Sequence, residues 1–205
     1  MTGIRVSTVL FDADGVLQDP IERWQPAFAR KFSSVGDNLD AVVQSVIATE
    51  LTHLTRDGGF LDDLDATLAR CKFAGRSAEV LEILNAIRVD SDIVKIVREL
   101  RARGINCHLA TNQQSHRARY MSEAIGHRDL FDREFYSCRI GIAKPDIGFF
   151  KFILGELRVQ PGSVLFIDDR EDNVTSAIAA GLQARLFPAA GGATAMRNIL
   201  NRFGL

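Results

Sequence analysis

Three short apolar runs, each ended by polar residues, constrain the fold of this 205-residue chain more than any other feature. Residues 7–11 (STVLF) stop at Asp12, residues 105–110 (INCHLA) stop at Thr111 and Asn112, and residues 163–167 (SVLFI) stop at Asp168 and Asp169. Runs this short, without polar alternation, suit central strands of a parallel sheet buried on both faces. Residues 134–137 and 184–187 are weaker strand candidates. Helical patterns lie between the runs. Ser91 is placed to cap a helix that carries Ile93, Ile96, Val97 and Leu100 on one face and stops at Gly104. A second helix, 115–125, ends at Gly126; Asp146 precedes a third with Phe149, Phe150, Ile153 and Leu154 in its core; a fourth, 171–180, ends at Gly181. Strand alternating with helix implies right-handed crossovers and an α/β fold with a doubly wound, mainly parallel sheet.

One segment breaks the alternation. From residue 20 to 90 the patterns are helical only, at 24–32, 39–54, 61–71 and 78–87, separated by Gly58-Gly59 and Gly75. Four helices exceed what is needed to cover one sheet face. The expected organisation is a core of residues 1–19 and 91–205 carrying an inserted α-helical cap, 20–90. Trp24 and Phe28, four apart, read as the buried face of a helix. The AAGGA stretch at 189–193 lacks the lysine and spacing of a phosphate-binding loop and reads as a linker before a last helix at 195–203.

Hydrophobic residues at 46% and charged ones at 25% allow a globular core able to hold a rigid site. Lysine and arginine number 25 against 26 aspartates and glutamates, so no broad basic field points to nucleic acid or a membrane as partner. Cys71, Cys107 and Cys138 are scattered, as expected of reduced thiols in a cytoplasmic protein. The apolar run before Asp12 is too short for a signal peptide. His53, His108, His116 and His127 show no ligand spacing and are expected to hold no metal.

The chemistry-bearing residues stand where strands end. Asp12 and Asp14, Thr111 and Asn112, and Asp168 and Asp169 each follow an expected parallel strand, and ligands of open α/β sheets bind in the crevice outside those ends. Carboxylates gathered there repel one another, and a hard cation with oxygen ligands relieves the repulsion. Asp12, the backbone carbonyl of Asp14, and Asp169 would form an incomplete magnesium shell open to substrate. Lys144, before Pro145, adds fixed positive charge, and cation plus lysine is equipment for a dianionic phosphate. Taken singly these are ordinary features: an Asp-x-Asp is also a turn, paired aspartates also cap helices, and Thr-Asn is also a turn. Gln113, Gln114 and Arg117 open the helix after Thr111 and are further candidates for substrate contact, whereas Arg23, Arg56 and Arg76 read as solvated.

FDADGVLQD at 11–19, LATN at 109–112, KPD at 144–146 and FIDDREDN at 166–173 resemble the four motifs of the haloacid dehalogenase-like hydrolase superfamily. The resemblance implies a Rossmann-like core, with the helical insertion at the position of that superfamily's small cap. It implies Asp12 as nucleophile and metal ligand, and Asp14 as general acid and then base, its carbonyl on the metal. It further implies Thr111 and the Asn112 amide as phosphate contacts, Lys144 as neutralising charge, Asp169 as direct metal ligand, and Asp168 as a ligand directly or through water. Asn173 would steady that loop. The expected activity is magnesium-dependent hydrolysis of a small phosphorylated metabolite, a phosphomonoester such as a sugar phosphate or nucleotide, through an aspartyl phosphate. A phosphomutase, a 2-haloacid dehalogenase and a non-catalytic binding domain are the alternatives. The superfamily's dehalogenases lack the second aspartate, so Asp14 favours phosphoryl chemistry.

Overall fold

Strand β1 (Thr8–Phe11) is buried along its whole length and lies at the centre of the main sheet. The computed structural model describes residues 5–32 and 39–205; residues 1–4 of the expected core and 33–38 of the expected insertion lie outside it. After β1 come β2 (Gln18–Pro20), α1 (Trp24–Lys31), α2 (Leu39–Thr52), α3 (Phe60–Arg70), α4 (Ser77–Leu84) and β3 (Ile87–Val89). The chain continues through α5 (Ser91–Ala102), β4 (Asn106–Thr111), α6 (Ser115–Glu123), α7 (His127–Leu130), β5 (Arg133–Tyr136), α8 (Ser137–Ile140) and α9 (Ile147–Leu157). It ends with β6 (Val164–Asp168), α10 (Glu171–Ala179), β7 (Gln183–Leu186) and α11 (Gly192–Asn201).

Among the described residues the main sheet has five parallel strands in the order β5-β4-β1-β6-β7. This is the doubly wound α/β sheet expected from the apolar runs. Side chains of β1 alternate between the two faces. Val9 and Phe11 pack with α5 and α11 residues such as Ile96, Val97 and Met196. Leu10 packs on the opposite side with Phe149, Phe150, Phe166 and Val174. Both faces are thus apolar, which is why β1, β4 and β6 read as unbroken hydrophobic runs. The register sets Phe11 beside Leu109 of β4 and beside Ile167 of β6. The next residue of β1 therefore emerges beside the next residue of β6. The Asp12 amide donates to the Ile167 carbonyl at 3.0 Å.

Helices α1 to α4 share a separate hydrophobic cluster, with Phe28, Phe32, Val43, Val46, Phe60, Leu64 and Leu84 buried in it. The exclusively helical reading of residues 20–90 needs correction. Strand β3 lies inside that range and pairs antiparallel with β2, Gln18 facing Val89 and Pro20 facing Ile87, so a two-stranded ribbon flanks the helices. Three-residue strands paired across some seventy positions leave no periodic mark, and Ile87 merely continued the helical apolar spacing. The start of α5 also differs from expectation. Asp90, not Ser91, is the cap: its Oδ1 accepts from the amides of Asp92 at 2.9 Å and Ile93 at 3.1 Å. Asp146 does cap α9, accepting from the Gly148 amide at 2.7 Å.

Candidate active site

The carboxyl ends of β1, β4 and β6 open into a cleft of about 680 Å³, which α1, α2 and the turn after α2 overhang. Asp12 lies at its floor, only 6% exposed. The Lys144 ammonium reaches from the loop before α9 to Asp12 Oδ1 at 2.8 Å and to Asp168 Oδ2 at 2.6 Å. One lysine thus bridges the residues that end two adjacent strands. Asn112 sets its backbone: Asn112 Oδ1 accepts from the Lys144 amide at 2.9 Å, and Asn112 Nδ2 donates to the Lys144 carbonyl at 2.8 Å. The sequence reading had only the backbone amide of Asn112 in view. Thr111 is buried beside it, its hydroxyl oxygen accepting from Gln113 Nε2 at 3.3 Å.

The two aspartates of β6 face different surroundings. Asp168 is fully buried; besides Lys144 it accepts from the Arg170 amide at 2.8 Å and from Asn173 Nδ2 at 3.0 and 3.1 Å. Asp169 is exposed and lines the cleft. Asp12, Asp168 and Asp169 each offer one oxygen, and these oxygens lie within 4.8 Å of one another. Burial pushes the Asp12 carboxyl up to about 7, with Lys144 opposing the shift and Asp168 adding to it. Burial and the Asp168 charge also hold Asp169 above its ordinary range. Burial would pull Lys144 down, but the carboxylates of Asp12 and Asp168 outweigh it and the ammonium is held above its usual range. Three carboxylates face one ammonium. That excess of negative charge, on hard oxygen donors, is what a divalent cation of the magnesium type fits.

Asp14 stands apart from this cluster. Its carboxylate accepts from Gln18 Nε2 at 2.9 Å, from Gln113 Nε2 at 2.8 Å and from the Arg117 guanidinium at 2.8 Å. Gln113 and Arg117, candidates for substrate contact, line the cleft and also hold Asp14. Gln114 caps α6, its Oε1 accepting from the amides of His116 and Arg117, and its Nε2 donates to Glu50 of α2 at 3.3 Å. Burial pushes the Glu50 carboxyl up to about 7, against the charge of Arg117. Sequence reasoning passed over Glu50. The available signal was an α2 apolar around more than one face: Val42, Val43 and Val46 enter the helical cluster, Ile47 packs at its edge and lines the cleft, and Leu51 lines the cleft. Trp24 was read as core only; it packs against the helical cluster and also lines the cleft.

The histidines lie elsewhere. His53 bonds to Asp63, His116 to Asn85 and His127 to Gln18, and His108 packs edge-on to Phe135. Arg76 pairs with Glu79 and Arg56 with Asp63. All three cysteines are free thiols. Among the described residues no helix is long and apolar enough to cross a membrane.

A parallel sheet with a charged crevice at the point where its strand order reverses defines a doubly wound α/β protein with a ligand site at its strand ends. Within that class the chain belongs to the haloacid dehalogenase-like hydrolase family, which residues 6–181 match. A phosphatase of Mycobacterium tuberculosis is 30% identical over 200 residues, covering 91% of this chain and 89% of that protein. A sesquiterpene phosphatase of Aspergillus oryzae is 28% identical over 106 residues, 52% of this chain and 54% of its own length, so the match spans about half of that relative. Among solved structures, a haloacid dehalogenase family enzyme of Bacteroides thetaiotaomicron in complex with magnesium and inorganic phosphate superposes with a TM-score of 0.74. It is 18% identical, over 93% of this chain and 98% of that one, a likeness of fold.

Proposed function

We propose that this chain is a magnesium-dependent phosphatase that hydrolyses a small phosphomonoester through an aspartyl phosphate on Asp12. The observation that carries this reading is Asp12 itself. It is buried beside Lys144, is one of three carboxylates within metal-binding distance of one another, and opens onto a cleft bordered by Thr111. The phosphatase name of the Mycobacterium tuberculosis relative and the magnesium and phosphate bound by the Bacteroides thetaiotaomicron neighbour support it.

Asp12, the backbone carbonyl of Asp14 and Asp169 would hold the magnesium, with Asp168 bound directly or through water. Bound magnesium supplies positive charge that keeps Asp12 ionised and offsets the charge of the transferring group. An oxygen of Asp12 attacks phosphorus while Lys144 and the Thr111 hydroxyl hold the equatorial phosphate oxygens. The bond from phosphorus to the alcohol oxygen breaks, and Asp14 gives that oxygen its proton. Asp14, now a base, takes a proton from water; the water oxygen attacks phosphorus and the bond to Asp12 breaks, releasing inorganic phosphate. For this, Asp14 has to leave Arg117 for the leaving group. Asp168 also positions Lys144. The helices α1 to α4 serve as a cap that limits water at the site.

The test is phosphate release from a panel of esters, with magnesium and with a chelator, beside Asp12→Asn. Release by the wild type is expected with the metal alone, and the variant is expected at background. Wild-type turnover that survives the chelator, or comparable turnover by the variant, refutes the reading.

A further inference from the structure

The floor and the roof of the cleft have opposite chemistry. The floor includes Asp12, Thr111, Lys144 and Asp169; the roof is Trp24, Ile47, Leu51 and Leu54, with Pro20 at one side and the polar Glu50, Gln114 and Arg117 also in the lining. Ile47, Leu51 and Leu54 recur at i, i+4 and i+7 along α2 and the turn after it and line the cleft; Ile47 also packs against the edge of the helical cluster, whereas Leu51 and Leu54 are not part of it. Leu51 is 62% exposed. A large apolar side chain left open to water inside a concave site is the kind of surface that a ligand covers. In the resting arrangement the polar groups nearest the roof are engaged within the protein, Arg117 being the one that catalysis would release. Gln113 and Arg117 are held on Asp14, and Gln114 on the α6 amides and Glu50. A sugar's hydroxyl groups set against Trp24, Ile47, Leu51 and Leu54 would face hydrocarbon and lose their water without a partner. The cleft, at about 680 Å³, is also far larger than a phosphate needs.

We infer that the substrate is the phosphate monoester of an apolar alcohol, aliphatic or aromatic, whose hydrocarbon body lies against Trp24, Ile47, Leu51 and Leu54 while its phosphate rests on the floor. This rests on the phosphatase reading and narrows its substrate from small phosphomonoesters in general. Each methylene buried against the roof contributes to binding, and at about 0.8 kcal/mol for full burial it is worth roughly two- to fourfold in kcat/KM.

Two readouts test it. The first is kcat/KM of the wild type with magnesium on n-alkyl phosphates from ethyl to hexyl, beside a hexose phosphate and a nucleoside monophosphate. A rise of about two- to fourfold per methylene is expected, with the hexyl ester above both polar esters. Leu51→Asn, at an exposed position, should lower the hexyl-to-ethyl ratio by about tenfold. The second readout needs no turnover. Trp24 is the chain's only tryptophan, so its emission reports on the roof. In Asp12→Asn, n-alkylphosphonates should shift that emission, with Kd tightening as the chain lengthens. Turnover with a flat or falling series, or a preference for the hexose phosphate or the nucleotide, overturns the apolar subsite and leaves the phosphatase reading standing. Chain-length-dependent phosphonate binding with no ester hydrolysed does the reverse.

Discussion

The Asp169 carboxylate occupies space that a neighbouring residue leaves free by lacking a side chain. Gly15 has φ +79°, and a Cβ built there would lie 2.3 Å from Asp169 Oδ2 and 2.6 Å from its Cγ. The atoms it would meet all belong to the Asp169 side chain, so that side chain is what must move. Gly15→Ala is therefore expected to displace Asp169, to cost about 1–3 kcal/mol through the strained backbone, and to weaken magnesium affinity about tenfold. A magnesium titration of activity, or of heat released on binding, checks this; an unchanged metal constant would show that Asp169 is not a ligand. The residue scale also sets the limits of motif reading. The aspartate doublet was visible in sequence, but one member is buried under Lys144 and Asn173 while its neighbour meets the cleft. Successive strand residues point to opposite sides, and which side is open depends on what packs there.

At the scale of elements, α2 and α6 meet through Glu50, Gln114 and Arg117, beside the turn that carries Asp14. The Glu50 carboxyl titrates at about 7 in the fold against an ordinary 4.5. Between those values the folded chain keeps a proton that the unfolded chain has lost. The stability this proton contributes is full below about 4.5 and is lost as pH rises through about 7. Glu50→Gln keeps the shape and removes the titration. The melting temperature of the variant relative to wild type should therefore climb between pH 5 and pH 7.5, roughly the interval between the two pKa values; a difference constant with pH would refute the assignment. The contact itself was not legible in sequence, because α2's excess of apolar positions marks a second covered face without naming what Glu50 meets there. The β2–β3 ribbon was illegible for a related reason, its two halves being brief and far apart in the chain.

For the molecule as a whole, a cation bound only by the folded state adds to stability by mass action. Magnesium at a hundredfold excess over its Kd is worth about 2.7 kcal/mol, and for a chain of this length that raises Tm by on the order of 5–10 °C. Thermal melts with magnesium chloride, against sodium chloride of equal ionic strength, are expected to show the rise in wild type. Asp169→Asn should reduce it sharply. An equal rise in both proteins would place the stabilising ion outside the carboxylate cluster.

Sequence alone determined the parallel sheet, because strands buried on both faces must be apolar throughout and each such run is a local signal. It also determined that Asp12, Thr111 and the Asp168-Asp169 pair would sit at strand ends, since polar residues stop those runs. Only the tertiary structure decided the partners. Lys144 meets Asp168 across 24 positions, Arg117 meets Asp14 across 103, and Gln114 meets Glu50 across 64. Ion pairs and packing act through space with a reach of a few ångströms, whereas periodicity records only what lies within a few residues along the chain. The apolar roof over a charged floor belongs to that second kind of information, and it exists only once α2 has been folded back over the sheet.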